Sequence, residues 1–386
     1  MKIIHTADLH LGRTIGDEKK SRNEEINYAL NQILDRVSSG DIDAVLIAGD
    51  IFDKAKPSNE SLLVFKSFTV ELVRLNTPVI AIAGNHDSPS LIDTETQLWR
   101  LFGSHIIGTE RTAKNGGLIR IPTRCGTDLT IGLLPFIRNT KLTNLGDIWS
   151  ESNGISYSSY SAEMLKKIDE LAQGFQADTV NILMYHGTLA GAKISGTERA
   201  HDSIEVYNIP GEQLPTTAQY VALGHLHIPQ QVKATVPAYY SGSLIQCDFG
   251  EAGEQKSFNL IEVEPRQTAT VHQIPVRQLR ELKQVYCQLE TLEEELKIYS
   301  NFEGWLKVVV NLKGIRCPDL NQRVRSICPH AVIVVSEAIN QSPQPVGIET
   351  EQFDLIEAYQ DYLGGQPESR VQKFSQLYQE ALALEI

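Results

Sequence analysis

The chain has 386 residues, 41% of them hydrophobic and 22% charged, with a formal net charge of −13. The length exceeds one ordinary domain, and the apolar share excludes a chain disordered throughout. No run approaches the roughly 20 apolar residues of a membrane span, no apolar signal core follows Met1, and the acidic balance argues at first sight against a protein that coats nucleic acid. Cys125, Cys247, Cys287, Cys317 and Cys328 include no C-x-x-C pair. They read as reduced thiols of a cytosolic protein, small core residues without a catalytic role.

Taken in chain order, residues 2–6 form a short buried strand that runs into Ala7-Asp8-Leu9-His10. Ile26, Leu30, Ile33, Leu34 and Val37 then recur at helical spacing over 23–37. The apolar run 44–48, closed by Gly49-Asp50, suits a strand buried on both faces. A second helix starts near Ser58, after Pro57, with Leu62, Phe65, Phe68 and Leu72 on one face. Another apolar strand, 78–83, ends in Gly84-Asn85-His86-Asp87. Strands alternating with helices, with polar residues at the strand ends, predict a layered α/β domain. Strands 179–185 and 220–223 again end in polar clusters, at His186 and at Gly224-His225-Leu226-His227. Segments 139–160 and 188–217 read as long loops. Strands 258–263 and 269–274 close a first domain over 1–275. A small β-α-β-α-β unit follows over 276–340, then a proline-containing linker, 341–347. Residues 348–386 carry two amphipathic stripes, Leu355, Tyr359, Tyr362 and Leu363, then Val371, Phe374, Leu377, Tyr378 and Leu382.

One ordered set of polar residues carries the chemistry: Asp8-x-His10, Gly49-Asp50-x-x-Asp53, Asn85-His86-Asp87, His186 and His225-x-His227. Each group directly follows an apolar strand, so all are expected to converge on one sheet edge, where ligands of open α/β sheets bind. Alternation along a strand would put residues two apart on one side, which accounts for D-x-H and H-x-H as ligand pairs. Carboxylates, imidazoles and one carboxamide make an oxygen and nitrogen donor set that suits Mn, Fe or Zn and excludes a soft thiolate site. The ligand count points to two divalent ions, with Asp50 the carboxylate placed to bridge them. Such a pair clamps the attacking and leaving oxygens of a phosphate displacement. His86 need not bind metal. Protonated, it can donate to the leaving oxygen, and Asp53 can accept a hydrogen bond that orients the imidazole. His5, His105, His201, His272 and His330 lack this context and read as structural or solvated.

The ordered set resembles the calcineurin-like metallophosphoesterase superfamily. The words HTADLHLGR, GDIFDKAKPS, GNHDSPS, SGTER, YVALGHLHIPQ and YYSGSLIQCDFGE are similar to its branch of nuclease subunits that work with an SbcC-type coiled-coil ATPase. The resemblance runs from residue 1 to about 275 and less sharply beyond. It implies a layered metallophosphoesterase β-sandwich flanked by helices, a small α+β capping domain and C-terminal helices that dock on the ATPase through the stripes at 355–363 and 371–382. It further implies one metal on Asp8, His10, Asp50 and His227 and a second on Asp50, Asn85, His186 and His225, both Mn²⁺, with His86 as the catalytic acid. The implied activity is exonuclease cleavage of double-stranded DNA ends and endonuclease cleavage of single strands and hairpins, in DNA repair, recombination and replication, by a homodimer within a heterotetramer, in the cytoplasm at the nucleoid and without a membrane. Archaeal and eukaryotic relatives usually carry histidine where Asp53 stands, so their exonuclease details are not carried over.

A phosphoprotein phosphatase of the superfamily would have an Asp-Arg pair after Gly-Asp and a GNHE; Phe52-Asp53-Lys54 and GNHD stand here. A small-substrate esterase needs neither cap nor tail helices, and the complete ligand set argues against a purely tethering subunit. The acidity is also uneven. Residues 1–275 carry net −8, residues 276–340 net +1 and residues 341–386 net −6. Two divalent ions offset part of the first figure, and the last belongs to the partner-binding segment. DNA is therefore not excluded; weak binding by the chain alone is expected, with Lys19, Lys20 and Arg22 as candidate contacts.

Overall fold

Continuous apolar runs become the central strands of two sheets in a computed structural model, which describes residues 1–138, 155–195 and 208–337. In the first six-stranded sheet, Lys2–Thr6, Ala44–Ile47, Val79–Ile82 and His105–Ile107 run parallel, and Ser257–Glu262 and Thr270–Pro275 extend it antiparallel. The second is built around Leu129–Leu134, Val180–His186, Tyr220–Gly224 and Ala238–Tyr240, all parallel. Leu118–Ile121 and Gln230–Val232 form its antiparallel edges.

Neighbouring residues of a strand face opposite sides, and that alternation builds three layers of core. Ile3, Leu46, Ile80 and Ile82 pack between the sheets against Ile131, Leu133, Ile182 and Met184. Their neighbours Ile4, Val45, Ile47 and Val79 face Ile26, Leu30, Phe65 and Leu72 of the helices Asn23–Val37 and Asn59–Arg74. Ser58 caps the second helix as its composition predicts, its hydroxyl accepting from the Ser61 N–H. Leu183, Tyr185, Val221 and Leu223 cover the far face with Tyr160, Met164, Ile168 and Leu171. The result is a sandwich of two sheets flanked by helices.

Three expectations change. The segment 139–160 is not all loop: the helix Ile155–Ala172 begins inside it, and its stripe Tyr160, Met164, Ile168 and Leu171 covers the second sheet. Thr188–Leu189 pairs in parallel with Asn208–Ile209 and is followed by the turn Gly211–Gln213, so 188–217 holds regular structure at both ends. The polar clusters lie on the ends of strands from two facing sheets, not along one sheet edge. The linker 341–347, the helical segment 348–386 with Leu355, Tyr359, Tyr362, Leu363, Phe374, Leu377 and Tyr378, and most of SGTER lie outside the described residues.

Leu282–Gln288, Trp305–Asn311 and Ala331–Glu337 form a separate parallel sheet with the helices Leu292–Lys297 and Leu320–Ile327. This small lobe has its own core of Val285, Leu292, Leu296, Leu306, Val308 and Val324. It seats on the sandwich through Leu282, Trp305 and Val332, which bury Ile15 and Phe249. Beneath the seat, Trp305 Nε1 donates to Glu25 at 2.6 Å and Glu25 pairs with Arg22. Arg22 is fully buried, and so is withdrawn as a candidate DNA contact: its guanidinium is committed to Glu25 and to the Gln246 carbonyl.

Candidate metal centre

The expected ligands do meet, but pleat alternation does not bring them there. The first strand ends at Thr6, and Asp8 and His10 lie beyond it with φ of 51° and 48°. Asp50 follows its strand in the same way, at 49°. Positive-φ backbone costs a non-glycine residue on the order of 1 kcal/mol or more, and its recurrence at four positions just past strand ends, His225 at 106° being the fourth, marks a site that the surrounding structure holds under strain. Backbone bonds from Asp8 N–H to the Gly49 carbonyl and from His10 N–H to the Asp50 carbonyl, both 3.0 Å, lock two of these turns together. Gly49 lies at φ 100°, and a Cβ there would stand 2.0 Å from His186 Nδ1, so only glycine lets this imidazole approach.

Asp50 stands at the middle, and its two oxygens face different sides. Oδ2 lies 3.8 Å from His10 Nε2, and Oδ1 lies 3.6 Å from His186 Nε2. On the first side, His10 Nε2 and His227 Nε2 approach to 2.9 Å. On the second, Asn85 Oδ1 lies 3.0 Å from both His186 Nε2 and His225 Nδ1. Asp8 accepts the His225 backbone N–H and forms a group with Asp50 and His186 able to hold a metal ion. All seven expected ligands, Asp8, His10, Asp50, Asn85, His186, His225 and His227, are buried.

The donor chemistry fits divalent metal. The His186 Nδ1–H donates to the Ala48 carbonyl at 2.7 Å, because a carbonyl can only accept; its Nε2 therefore presents a lone pair to the Asn85 oxygen. His227 likewise donates from Nδ1 to Glu251 at 2.8 Å and presents Nε2 to His10. Lone pairs converging in a buried space call for cations between them, and Asp8, Asp50, Asn85 and the four histidines would hold them. The charges agree. Burial, reinforced by Asp50, pushes the Asp8 carboxyl well above its ordinary range, while burial drives His10 and His186 down. Burial also opposes ionisation of Asp50, but His186, His86 and the His86 backbone N–H outweigh it and hold the carboxyl low.

His86 sits at the mouth, half-buried, with Nε2 4.0 Å from Asp50 Oδ2. The group that orients it is the backbone carbonyl of Asp53, 2.9 Å from Nδ1. The Asp53 carboxylate instead faces His10 Nδ1 at 3.6 Å and Arg13 at 3.1 Å. Asp87 accepts N–H bonds from Ile51, Phe52 and Gly84 and so ties two of the ligand turns together.

Sequence reasoning missed four contributors. Phe136 stacks on His225 with ring centroids 6.2 Å apart and meets His186 edge-on at the same distance. Glu251 and Lys256 form a fully buried pair behind His227. Cys247, expected to be a plain core thiol, is buried but shares a potential metal-binding group with His10 and His227. The segment YYSGSLIQCDFGE holds Cys247 and Glu251, with Lys256 close behind, and none of the three follows an apolar strand as the ligands do. His5 matches the structural reading: it is buried, donating from Nε2 to the Leu223 carbonyl and accepting at Nδ1 from Tyr220.

The sequence profile of calcineurin-like phosphoesterases matches residues 1–229, more than half of the chain and the whole span that carries the seven ligands. The chain belongs to the calcineurin-like phosphoesterase family. The SbcD subunit of the nuclease SbcCD from Bacillus subtilis (strain 168) is 34% identical to this phosphoesterase over 277 residues, which cover 71% of this chain and 69% of that protein. Glu251 and Lys256 lie beyond the part of the phosphoesterase matched by the family profile.

Proposed function

We propose that this phosphoesterase is the nuclease subunit of a complex with an SbcC-type coiled-coil ATPase, cleaving DNA ends and hairpins with two divalent ions, Mn²⁺ being the preferred pair. The observation that carries the two-metal reading is Asp50, whose oxygens face separate donor groups. The nuclease reading rests on the resemblance of 71% of the chain to a nuclease subunit. When bound, the ions supply Lewis acidity to a phosphodiester and activate water near neutral pH. The protein supplies the rest. His86, fixed at Nδ1 by the Asp53 carbonyl, turns Nε2 toward the site and in its protonated form gives a proton to the leaving oxygen. The Asp53 carboxylate lies behind His10 at 3.6 Å from Nδ1, and Arg13 offsets its charge.

Residues 276–340 serve as the cap, 341–347 as linker and 348–386 as the segment that binds the ATPase. Exposed apolar side chains support a homodimer: Leu63 and Val70 lie on one helix, Leu98, Leu101 and Phe102 on or just after another, and a Lys66–Glu95 pair ties the two together. Buried against a second copy, such a patch would leave water; on a lone chain it is a liability.

The test incubates the pure chain, with and without its ATPase, with Mn²⁺ and end-labelled linear or hairpin DNA. The wild type should cut, Asp8→Ala should not, and His86→Gln should bind metal yet lose about 10²–10⁴-fold in rate. Intact DNA alongside turnover of a phosphoprotein or a simple diester would reject the nuclease reading. A fully active His86→Gln protein would remove the acid role.

A further inference from the structure

Behind the first side of the centre lies a carboxylate that nothing in the ligand pattern requires. Glu251 is fully buried, as is Lys256, and a charged pair in such a place is expensive unless geometry and function retain it. One carboxylate oxygen takes the His227 Nδ1–H at 2.8 Å. The other takes the Cys247 backbone N–H at 2.9 Å and lies 2.7 Å from Lys256 Nζ. The same ammonium donates to the His227 backbone carbonyl at 3.1 Å and to Glu254 at 2.9 Å, which occupies its three protons. Lys256 thus grips His227 twice, directly at its backbone and through Glu251 at its ring.

We infer that Glu251, held by Lys256, is the positioning residue for His227: it fixes the ring with its proton on Nδ1, so that the Nε2 lone pair faces His10 and the first metal position. A carboxylate cannot donate, so the Nδ1–H tautomer is imposed by chemistry, and the ring angle is imposed by the two oxygens having different partners. Carboxylate–histidine–metal relays of this kind raise ligand basicity and remove the freedom that an unassisted imidazole would lose on binding. A purely structural ion pair would need neither the contact to the ring nor the second grip on the backbone of the same residue. The inference rests on His227 being a metal ligand.

The experiment titrates metal-free wild type, Glu251→Gln and His227→Ala with Mn²⁺, counting ions and affinities by calorimetry and electron paramagnetic resonance. His227→Ala should lose one of two ions. Glu251→Gln should weaken that same ion about 10- to 100-fold and leave the other unchanged. If His227→Ala binds both ions normally, the metal reading itself fails. If His227→Ala loses an ion and Glu251→Gln keeps both at wild-type affinity, the positioning role fails alone. Should Glu251→Gln not fold, the wild type decides the matter. Nitrogen-15 shifts of histidine-labelled, metal-free protein, followed to the pH at which the His227 ring is neutral, should place its remaining proton on Nδ1 with a strongly downfield N–H, and a neutral ring protonated on Nε2 would overturn the inference.

Discussion

The two sides of the centre share Asp50 and little else in how they are built. Around His10 and His227 the support is ionised side chains: Asp53 with Arg13 behind one ring, Glu251 with Lys256 behind the other. Around His186 and His225 it is backbone and ring surface. The Ala48 carbonyl holds His186, Phe136 stacks on His225, and a glycine at 49 leaves the space that the ring needs. Side-chain support can be altered one residue at a time and depends on charge. Backbone support is indifferent to ionisation but intolerant of any added atom. Damage to the first side should therefore follow electrostatic rules, and damage to the second steric ones.

The largest effect is expected where the sides meet. Asp50→Ala should remove both ions and lower phosphodiester turnover by on the order of 10³-fold or more, read as metal content and initial rate. A loss of only one ion would mean that Asp50 does not bridge. Next, Lys256→Met should strand the Glu251 carboxylate in the interior at a cost of about 3–5 kcal/mol, measured by urea unfolding of the metal-free protein. Its metal defect should be confined to the His227 side. Gly49→Ala should cost about 3 kcal/mol by the same assay, through the positive φ and the contact with His186, and should selectively weaken the ion on the second side. Equal weakening of both ions in either variant would erase the contrast.

The smallest effect concerns His5, which burial drives down to about 3 from an ordinary value of 6.5. The folded state keeps this imidazole neutral, whereas the unfolded chain takes up a proton below pH 6.5. Its contribution is therefore complete above pH 6.5 and is lost as pH falls toward 3, at up to about 1.4 kcal/mol per pH unit. Metal-free wild type compared with His5→Asn between pH 7 and pH 5.5 should reveal that slope, and parallel curves would assign the acid sensitivity elsewhere.

That these residues would converge was legible because they follow runs that can only be buried strands, as Asp50 follows Ala44–Ile47 and Asn85 follows Val79–Ile82. The reason given for the D-x-H pair was wrong in detail: left-handed backbone, which no periodicity reports, aims Asp8 and His10. The helix Ile155–Ala172 was hidden by a serine-rich start, although Tyr160, Met164, Ile168 and Leu171 are spaced to find it. Strands such as Leu129–Leu134 were passed over because glycine and threonine interrupt the apolar run. Glu251 left no comparable trace, since its role exists only once a loop folds back behind His227. Arg22 misled in the opposite direction, because a charged residue near the N-terminus gives no sign that a lobe more than 250 residues later will cover its neighbour Glu25.

The seat of the small lobe limits how the molecule can be taken apart. Phe249, which that lobe buries, stands two residues before Glu251 on one turn, Phe249–Glu251, and Ile15, buried by the same contact, stands five residues after His10. A protein trimmed to residues 1–275 would keep every expected ligand and still expose both anchors to water, freeing the segments that aim His10 and His227. The boundary visible in the sequence is thus a poor cut line: removing the lobe would uncover Phe249 and Ile15, the anchors next to the side of the centre that holds His10 and His227.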